Sequence, residues 1–289
     1  MIFNLIKSDE PFMVGRFGLT EVDTLIHYDN FLEMNLLEKL HEWSATSRYP
    51  FSKNCILNDI HRQSGFYPVT KRKIALFKEE MLSSMKRVDL LASWVKGEGN
   101  YQKYMPKAKV CKLDFIEPYL SKNPWSEALE GLKVLIIHPF TESFYNQYSK
   151  HRSYIFRDKK VLPKFELKLQ KAPQTLPGDC YKYSDWFETL DALTEETYQI
   201  DFDIALIGCG AYGFPLAARI KKLGKKSIHL GGATQILFGI KGKRWDQDPL
   251  FVNFYNEFWK YPTLNEKPKG YFGIDRGCYW APDNDLHKQ

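Results

Sequence analysis

Two short runs of unbroken apolar residues, "VLIIH" at Val134 to His138 and "IALIG" at Ile204 to Gly208, most constrain the fold of this chain. A strand that faces solvent on one side alternates apolar with polar residues. One that does not alternate must be covered on both faces, which is the condition of a parallel sheet wound with helices on either side. Between and after these runs, strand and helix patterns take turns. "LKVLIIHPF" precedes "TESFYNQYSKHRSYIF", "KFELKLQKA" precedes "SDWFETLDALTEETYQ", "FDIALIG" precedes "FPLAARIKKLG", and "KSIHLGG" closes the series. The pattern predicts an α/β fold with a Rossmann-like, doubly wound, mostly parallel sheet.

Upstream, "PFMVGRFG" reads as a first strand ending in a glycine turn. A helix is expected from Thr20, as N-cap, to about Trp43, with Leu25, Leu32, Leu36 and Leu40 on one side; a second is expected from about Val69 to Trp94. At 289 residues the chain suits a single domain. Residues 20–130 form a largely helical insertion in this reading, residues 131–245 the Rossmann-like core, and residues 246–289 a C-terminal helix and aromatic tail.

The composition limits the function classes. No stretch approaches the roughly 20 apolar residues needed to span a bilayer, and "MIFNLIKSDEPF" lacks the basic start and long apolar run of a secretion signal. Cys55, Cys111, Cys180, Cys209 and Cys278 contain no C-x-x-C pair, which favours reduced thiols in a cytoplasm. A cytoplasmic protein is expected, with peripheral contact at the inner face of the cell membrane the furthest extension of that reading. The net charge of +6 suits an anionic substrate. The runs "KRK" and "KKLGKK" lack interleaved aromatic residues and read as solvated helix faces, so no nucleic-acid partner is expected. G-x-S-x-G, H-E-x-x-H, Walker and zinc-type cysteine patterns are absent, which removes most hydrolase and ATPase classes.

In a parallel sheet, ligands bind beyond the carboxyl ends of the strands, where helix N-termini offer free N–H groups. Four such turns are expected to carry the site: "GRFGLTE", "HPFTES", "GCGAYG" and "HLGGATQ". Gly208, Gly210 and Gly213 have the G-x-G-x-x-G spacing of a phosphate-binding turn. A nicotinamide dinucleotide would need an acid about 20 residues on, yet the next strand ends in His229, Leu230, Gly231 and Gly232. A nucleotide or sugar-phosphate ligand remains, beside a plain glycine turn. Arg16, Gly18 and Glu21 form R-x-G-x-x-E, which reads either as part of the site or as a surface pair with a helix-start acid. His138 ends a buried strand and reads as a general base, a ligand contact or a packing residue. His229 has the same range, and the hydroxyls of Ser143 and Tyr145 are further candidate sugar or base contacts.

On "GRFGLTE", "KVLIIHPF", "ALIGCGAYGFPLAARIKKLGKKSIHLGG" and "TQILFGIKGKRW" the chain resembles bacterial surface-polysaccharide glycosyltransferases of the GT-D type, among them relatives from capsule and O-antigen biosynthesis. The resemblance implies transfer of a sugar from a nucleotide sugar, a UDP-sugar first among them, to a glycan or lipid-linked acceptor in capsule or lipopolysaccharide assembly. It places the donor on Gly18, Gly208, Gly210, Ala211, Tyr212, Gly213, Gly231, Gly232, Gln235, Lys241, Arg244 and Trp245, with Arg16, Glu21 and His138 as the catalytic set. Members carry an Asp-x-Glu motif that holds a divalent metal. Here the triplet is Leu19, Thr20, Glu21, so Mn2+ or Mg2+ would have to be held by Glu21 with Asp23. Fixed donors, Arg16, Arg244, Lys241 or Lys243 with glycine N–H groups, are the alternative to the metal. Three Asp-x-Asp triplets also occur: Asp201 to Asp203 on the far side of the sheet, Asp246 to Asp248 near the cleft, and Asp283 to Asp285 in the tail. Two other classes stay open: a non-catalytic scaffold or regulatory subunit of a polysaccharide assembly complex, and an NAD-binding oxidoreductase.

Overall fold

The computed structural model describes residues 1–34 and 55–282. Their strands form one seven-stranded sheet in which every neighbouring pair runs parallel. In chain order the strands are β1 (Met13–Gly15), β2 (Leu90–Ser93), β3 (Lys109–Lys112), β4 (Lys133–His138), β5 (Glu166–Lys171), β6 (Ile204–Ile207) and β7 (Lys226–His229). Their spatial order is β3-β2-β1-β7-β6-β4-β5. The helices used below are α1 (Ile2–Lys7), α2 (Leu19–Glu33), α3 (Cys55–Ser64), α4 (Lys71–Met85), α5 (Thr141–Asn146), α6 (Arg152–Ile155), α7 (Trp186–Tyr198), α8 (Gly213–Lys222), α9 (Ala233–Leu237) and α10 (Pro249–Val252).

Successive residues of a strand point to opposite faces, and β4 shows what the apolar runs are for. Leu135 and Ile137 enter one core with Ala205 and Ile207, while Val134 and Ile136 enter the other with Ile204 and Leu206. All eight side chains are fully buried, each contributing about 1.5–3 kcal/mol on area bookkeeping for the larger ones. The first core is closed by α2, α4, α7 and α8, the second by α1, α5, α9 and the aromatic tail around Trp259 and Trp280.

This winding creates the crevice. From β1 the chain leaves through α2 over the first face, whereas from the adjacent β7 it leaves through α9 over the second. The alternation repeats at β6, followed by α8 on the first face, and at β4, followed by α5 on the second. Connections that diverge in this way leave a gap above the strand ends, the topological switch point of open α/β sheets.

Several helices differ from the sequence reading. The stretch 69–94 is not one helix. Thr70 caps α4, accepting from Lys73 N at 3.2 Å, the helix stops at Met85, and Leu90–Ser93 is β2. Asp89 starts that strand by accepting from Met13 N at 2.8 Å and pairing with Lys221. Leu90 to Ala92 are buried between β1 and β3, an environment that sequence periodicity cannot distinguish from a buried helix. The edge strand β3 was also not expected, so the insertion is not wholly helical. Gly18, not Thr20, is the N-cap of α2. That helix buries Val22, Leu25, Tyr28 and Phe31 but not Leu32, and Leu36 and Leu40 lie outside the described residues. The stretch after β4 is divided into α5 and α6 by a π-turn at Gln147–His151, where the Gln147 amide donates to Gly239 O at 2.9 Å and Phe258 O at 3.0 Å.

Asp185 fixes the start of α7, accepting from Phe187 N at 2.8 Å and Glu188 N at 3.0 Å and pairing with Lys73. Burial alone would raise its pKa, but Lys73 and the two N–H groups outweigh burial and lower it. The stabilisation is therefore present above the unfolded carboxylate pKa and is lost as the pH falls through the folded one. Asp185→Ala is expected to cost about 1–2 kcal/mol at neutral pH, seen as a lower urea midpoint at unchanged slope. The deficit should shrink in acid.

Candidate active site

A cavity of about 420 Å3 opens above the carboxyl ends of β1, β7, β6 and β4. Arg16, Gly18 and Glu21 enter it from the β1 turn, Gly231 and Gly232 from the β7 turn, Gly208 and Gly210 from the β6 turn, and His138 from β4. Arg244 and Tyr279 come from the C-terminal segment, Ser64 from the end of α3 and Trp94 from the end of β2.

Arg16 lies at the centre of this arrangement. Its Nε and Nη2 both lie 3.3 Å from Phe17 O, its Cζ sits 4.6 Å over the Trp94 ring, and its main-chain carbonyl accepts from His229 Nδ1 at 3.0 Å. Burial pulls its pKa below the ordinary arginine value, opposed by Tyr279, Glu21 and Glu117. The group stays charged, because arginine starts far above neutrality. Gly231 makes this position possible: it has φ +61°, and a Cβ there would stand 2.9 Å from Arg16 Nη1. The second guanidinium, Arg244, donates to Tyr279 Oη at 3.1 Å and pairs with Asp275 at 3.5 Å.

Glu21, the third residue of α2, folds its carboxylate back over Gly18, where any Cβ would overlap it. Thr20 Oγ1 donates to Glu21 Oε2 at 3.0 Å and contacts Ser64 Oγ at 2.5 Å. Burial raises the Glu21 pKa against the opposing pull of its own N–H, Thr20, Arg16 and Ser64. Asp23 does not line the cavity; its pKa is raised by burial and by Asp59. Leu19, which precedes Thr20 and Glu21 at the start of α2, is 50% exposed. Among the described residues no three His, Cys, Asp or Glu side chains gather where they could hold a metal. Glu21 is the one carboxylate among the described residues that line the cavity, and a lone carboxylate beside a guanidinium does not suit Mn2+ or Mg2+, which require several oxygen ligands.

The two histidines are neutral for different ends. Burial drives both down to about 3. His138 Nδ1 accepts from Phe140 N at 3.1 Å, so the hydrogen-bond network assigns its proton to Nε2. In that tautomer Nε2 carries the proton and Nδ1 is already engaged; His138 lines the cavity. His229 has the opposite tautomer, because its Nδ1 must donate to the Arg16 carbonyl. It ties β7 to the β1 turn.

Only part of the glycine turn reaches the cavity. Ala211, Tyr212 and Gly213 are buried behind it: Tyr212 Oη hydrogen-bonds Thr175 Oγ1 at 2.8 Å and its ring stacks on Trp186 at 5.3 Å, while Gly213 makes room for the His229 ring. Gln235 is fully buried and donates to Lys241 O at 2.5 Å and Tyr279 O at 2.9 Å, holding the tail in place. Lys241 lies over Tyr255 and Tyr261 at 5.4 and 4.8 Å, and Trp245 packs against Tyr279 at 5.8 Å. Neither these two nor Lys243 line the cavity.

The turn after β4 is closed to a ligand anion by the protein itself. Glu266 accepts from Glu142 N at 2.7 Å and from the Ser143 hydroxyl, filling the N-terminus of α5. Tyr145 is exposed elsewhere. Of the Asp-x-Asp triplets, Asp201 pairs with Lys133 and Asp203 accepts from Lys133 N at 2.8 Å, at the amino ends of β4 and β6. Asp246 accepts from Tyr255 and Tyr261 at 3.2 and 2.8 Å, and Asp248 caps α10. The third triplet lies outside the described residues. Cys111, Cys180, Cys209 and Cys278 are free thiols. No described helix is long and apolar enough to cross a membrane.

Trp94, Ser64 and Tyr279 were not anticipated as site residues. A signal existed for Trp94: "DLLASWVKG" is a short apolar run followed by a glycine turn, like the four strand ends that were recognised.

No known protein family and no curated protein matches the chain. One solved structure, described as the selenomethionine-substituted structure of domain of unknown function 1792, aligns over 100% of this chain and 91% of its own, at a TM-score of 0.47 and 13% identity. What the cavity can do is read from its own side chains.

Proposed function

We propose that the protein is a glycosyltransferase that takes a sugar from a nucleotide sugar, a UDP-sugar in the first instance, and passes it to a glycan or lipid-linked acceptor in bacterial capsule or lipopolysaccharide assembly. The observation that carries this reading is the pair Arg16 and Arg244 in one cavity with the glycine turns at 208–210 and 231–232 and, among the described lining residues, one carboxylate, Glu21. Guanidinium forks are the donors that suit a diphosphate, whereas the N–H groups of Gly208 and Gly231 are already given to Ile137 O at 3.0 Å and Ile207 O at 3.1 Å; the cavity volume is that of a small-ligand site.

In this reading an acceptor hydroxyl attacks the anomeric carbon of the donor. A new C–O bond forms as the bond from that carbon to the diphosphate oxygen breaks, and the nucleoside diphosphate leaves with the electron pair. Arg16 and Arg244 stabilise the charge that develops there, the role that fixed donors fill in a water-poor site. Glu21 accepts the hydroxyl proton, a task favoured by a carboxylate pKa raised toward the working pH. His138 Nε2 donates to a sugar or phosphate oxygen. No step needs a metal.

Calorimetric titration of the full chain with UDP-, GDP-, CDP- and dTDP-sugars tests the proposal. Saturable binding of at least one of them, competed by its nucleoside diphosphate, is expected; no binding to folded protein would overturn it. The replacement of the motif aspartate by Leu19 favours one second reading, a non-catalytic scaffold, which predicts donor binding without transfer.

A further inference from the structure

We propose that Trp94 is the stacking platform for the base of the nucleotide, an inference that rests on the nucleotide-sugar reading and adds the place of the heteroaromatic group. Large aromatic side chains are usually buried for their area, yet Trp94 is 43% exposed while lining the cavity. Its exposure is not looseness. The indole Nε1 donates to Phe17 O at 2.7 Å, and Trp94 N and Val95 N donate to the two carboxylate oxygens of Glu98 at 3.1 and 3.2 Å.

One face of the ring is covered by the Arg16 guanidinium at 4.6 Å. An indole clamped along its edge and covered on one face offers the other face to a planar partner at low entropic cost. A nucleobase is such a partner, and stacking on an aromatic side chain tolerates any base. The location agrees. Arg16 touches both the Trp94 ring and the edge of the Gly231 turn, so a diphosphate gripped by Arg16 has the indole beside it, with the ribose spanning the interval between them.

The test is calorimetric titration of wild type, Trp94→Ala and Trp94→Phe with UDP, UDP-glucose and inorganic pyrophosphate. Wild type should bind UDP more tightly than pyrophosphate, and Trp94→Ala should weaken UDP by about 5- to 150-fold, the range for losing one base–aromatic stack, while leaving pyrophosphate unchanged. Trp94→Phe should keep most of the advantage, because it loses the Nε1–H but not a ring face. An unchanged ratio of UDP to pyrophosphate affinity in Trp94→Ala would overturn the platform while leaving the nucleotide reading intact. Equal weakening of both ligands would assign Trp94 to holding the Arg16 turn and also overturn it. If instead UDP-glucose binds more tightly than UDP and Trp94→Ala erases only that difference, the indole carries the sugar and the inference fails. Wild type that binds pyrophosphate but no better binds UDP would sink the nucleotide reading itself.

Discussion

Arg16→Ala is expected to weaken UDP and pyrophosphate alike by about 100-fold or more, since a guanidinium fork on a phosphate makes two charge-assisted hydrogen bonds, each worth about 1.5–3 kcal/mol. The side chain is held over Trp94 and beside Gly231 before any ligand arrives, so little freedom remains to be lost on binding. Arg16→Lys should recover only part of the affinity, because an ammonium on a flexible stem keeps the charge without the fork. The same substitution should alter the pH dependence of stability. Glu21 and Glu117 are both buried with raised pKa values, and Arg16 acts in each to lower them. Without it, both carboxyls rise further. A folded state that retains protons the unfolded chain has lost becomes less stable as the pH climbs through that interval. Thermal melts of Arg16→Ala should therefore fall more steeply than wild type from the acid side toward neutrality. Undiminished pyrophosphate binding would remove Arg16 from the anion site.

The sheet's central strands were legible because they are buried on both faces. β4 and β6 have no exposed edge, so an apolar run is the only solution their surroundings allow, and the run appears in the sequence as such. β3 sits at the sheet's edge, largely exposed with the sequence "KVCK", and leaves no such trace. β2 failed for another reason: its four residues follow a genuine helix after a gap too short to register, so the apolar pattern runs on although the backbone has changed state.

The site divides along the same line. Arg16, Gly18, Glu21, His138, Gly208, Gly210, Gly231 and Gly232 are found at the cavity because each lies at or just past a strand whose end could be located. Trp94 depends on β2, and Tyr279 on the path of an irregular tail held by Gln235 and Arg244, which only tertiary structure determines. Spacing could not separate the two halves of "GCGAYG" either. Gly208 and Gly210 face the cavity, whereas Gly213 is there to admit the His229 ring, and both demands select the same residue type.

Glu21→Gln should separate function from stability. If Glu21 takes the acceptor proton, its amide cannot, and transfer should slow by about 100- to 10,000-fold, the usual contribution of a positioned base, with donor affinity little changed and the acidic limb of the pH–rate profile gone. The fold should gain. Burial raises the Glu21 pKa, so from the unfolded glutamate value of about 4.3 upward the native carboxyl keeps a proton that the unfolded chain releases, and stability falls across that window. Glutamine has nearly the same shape and no charge to desolvate, so the variant should melt above wild type at neutral pH and show a flatter pH dependence. Arg16 opposes this gain, because it loses a compensating charge. A lower melting temperature at neutral pH would thus mean that the attraction between Arg16 and Glu21 exceeds the cost of burying the carboxylate. Full transfer activity with a higher melting temperature would leave Glu21 destabilising without a catalytic return, and the base would have to be sought elsewhere in the cavity.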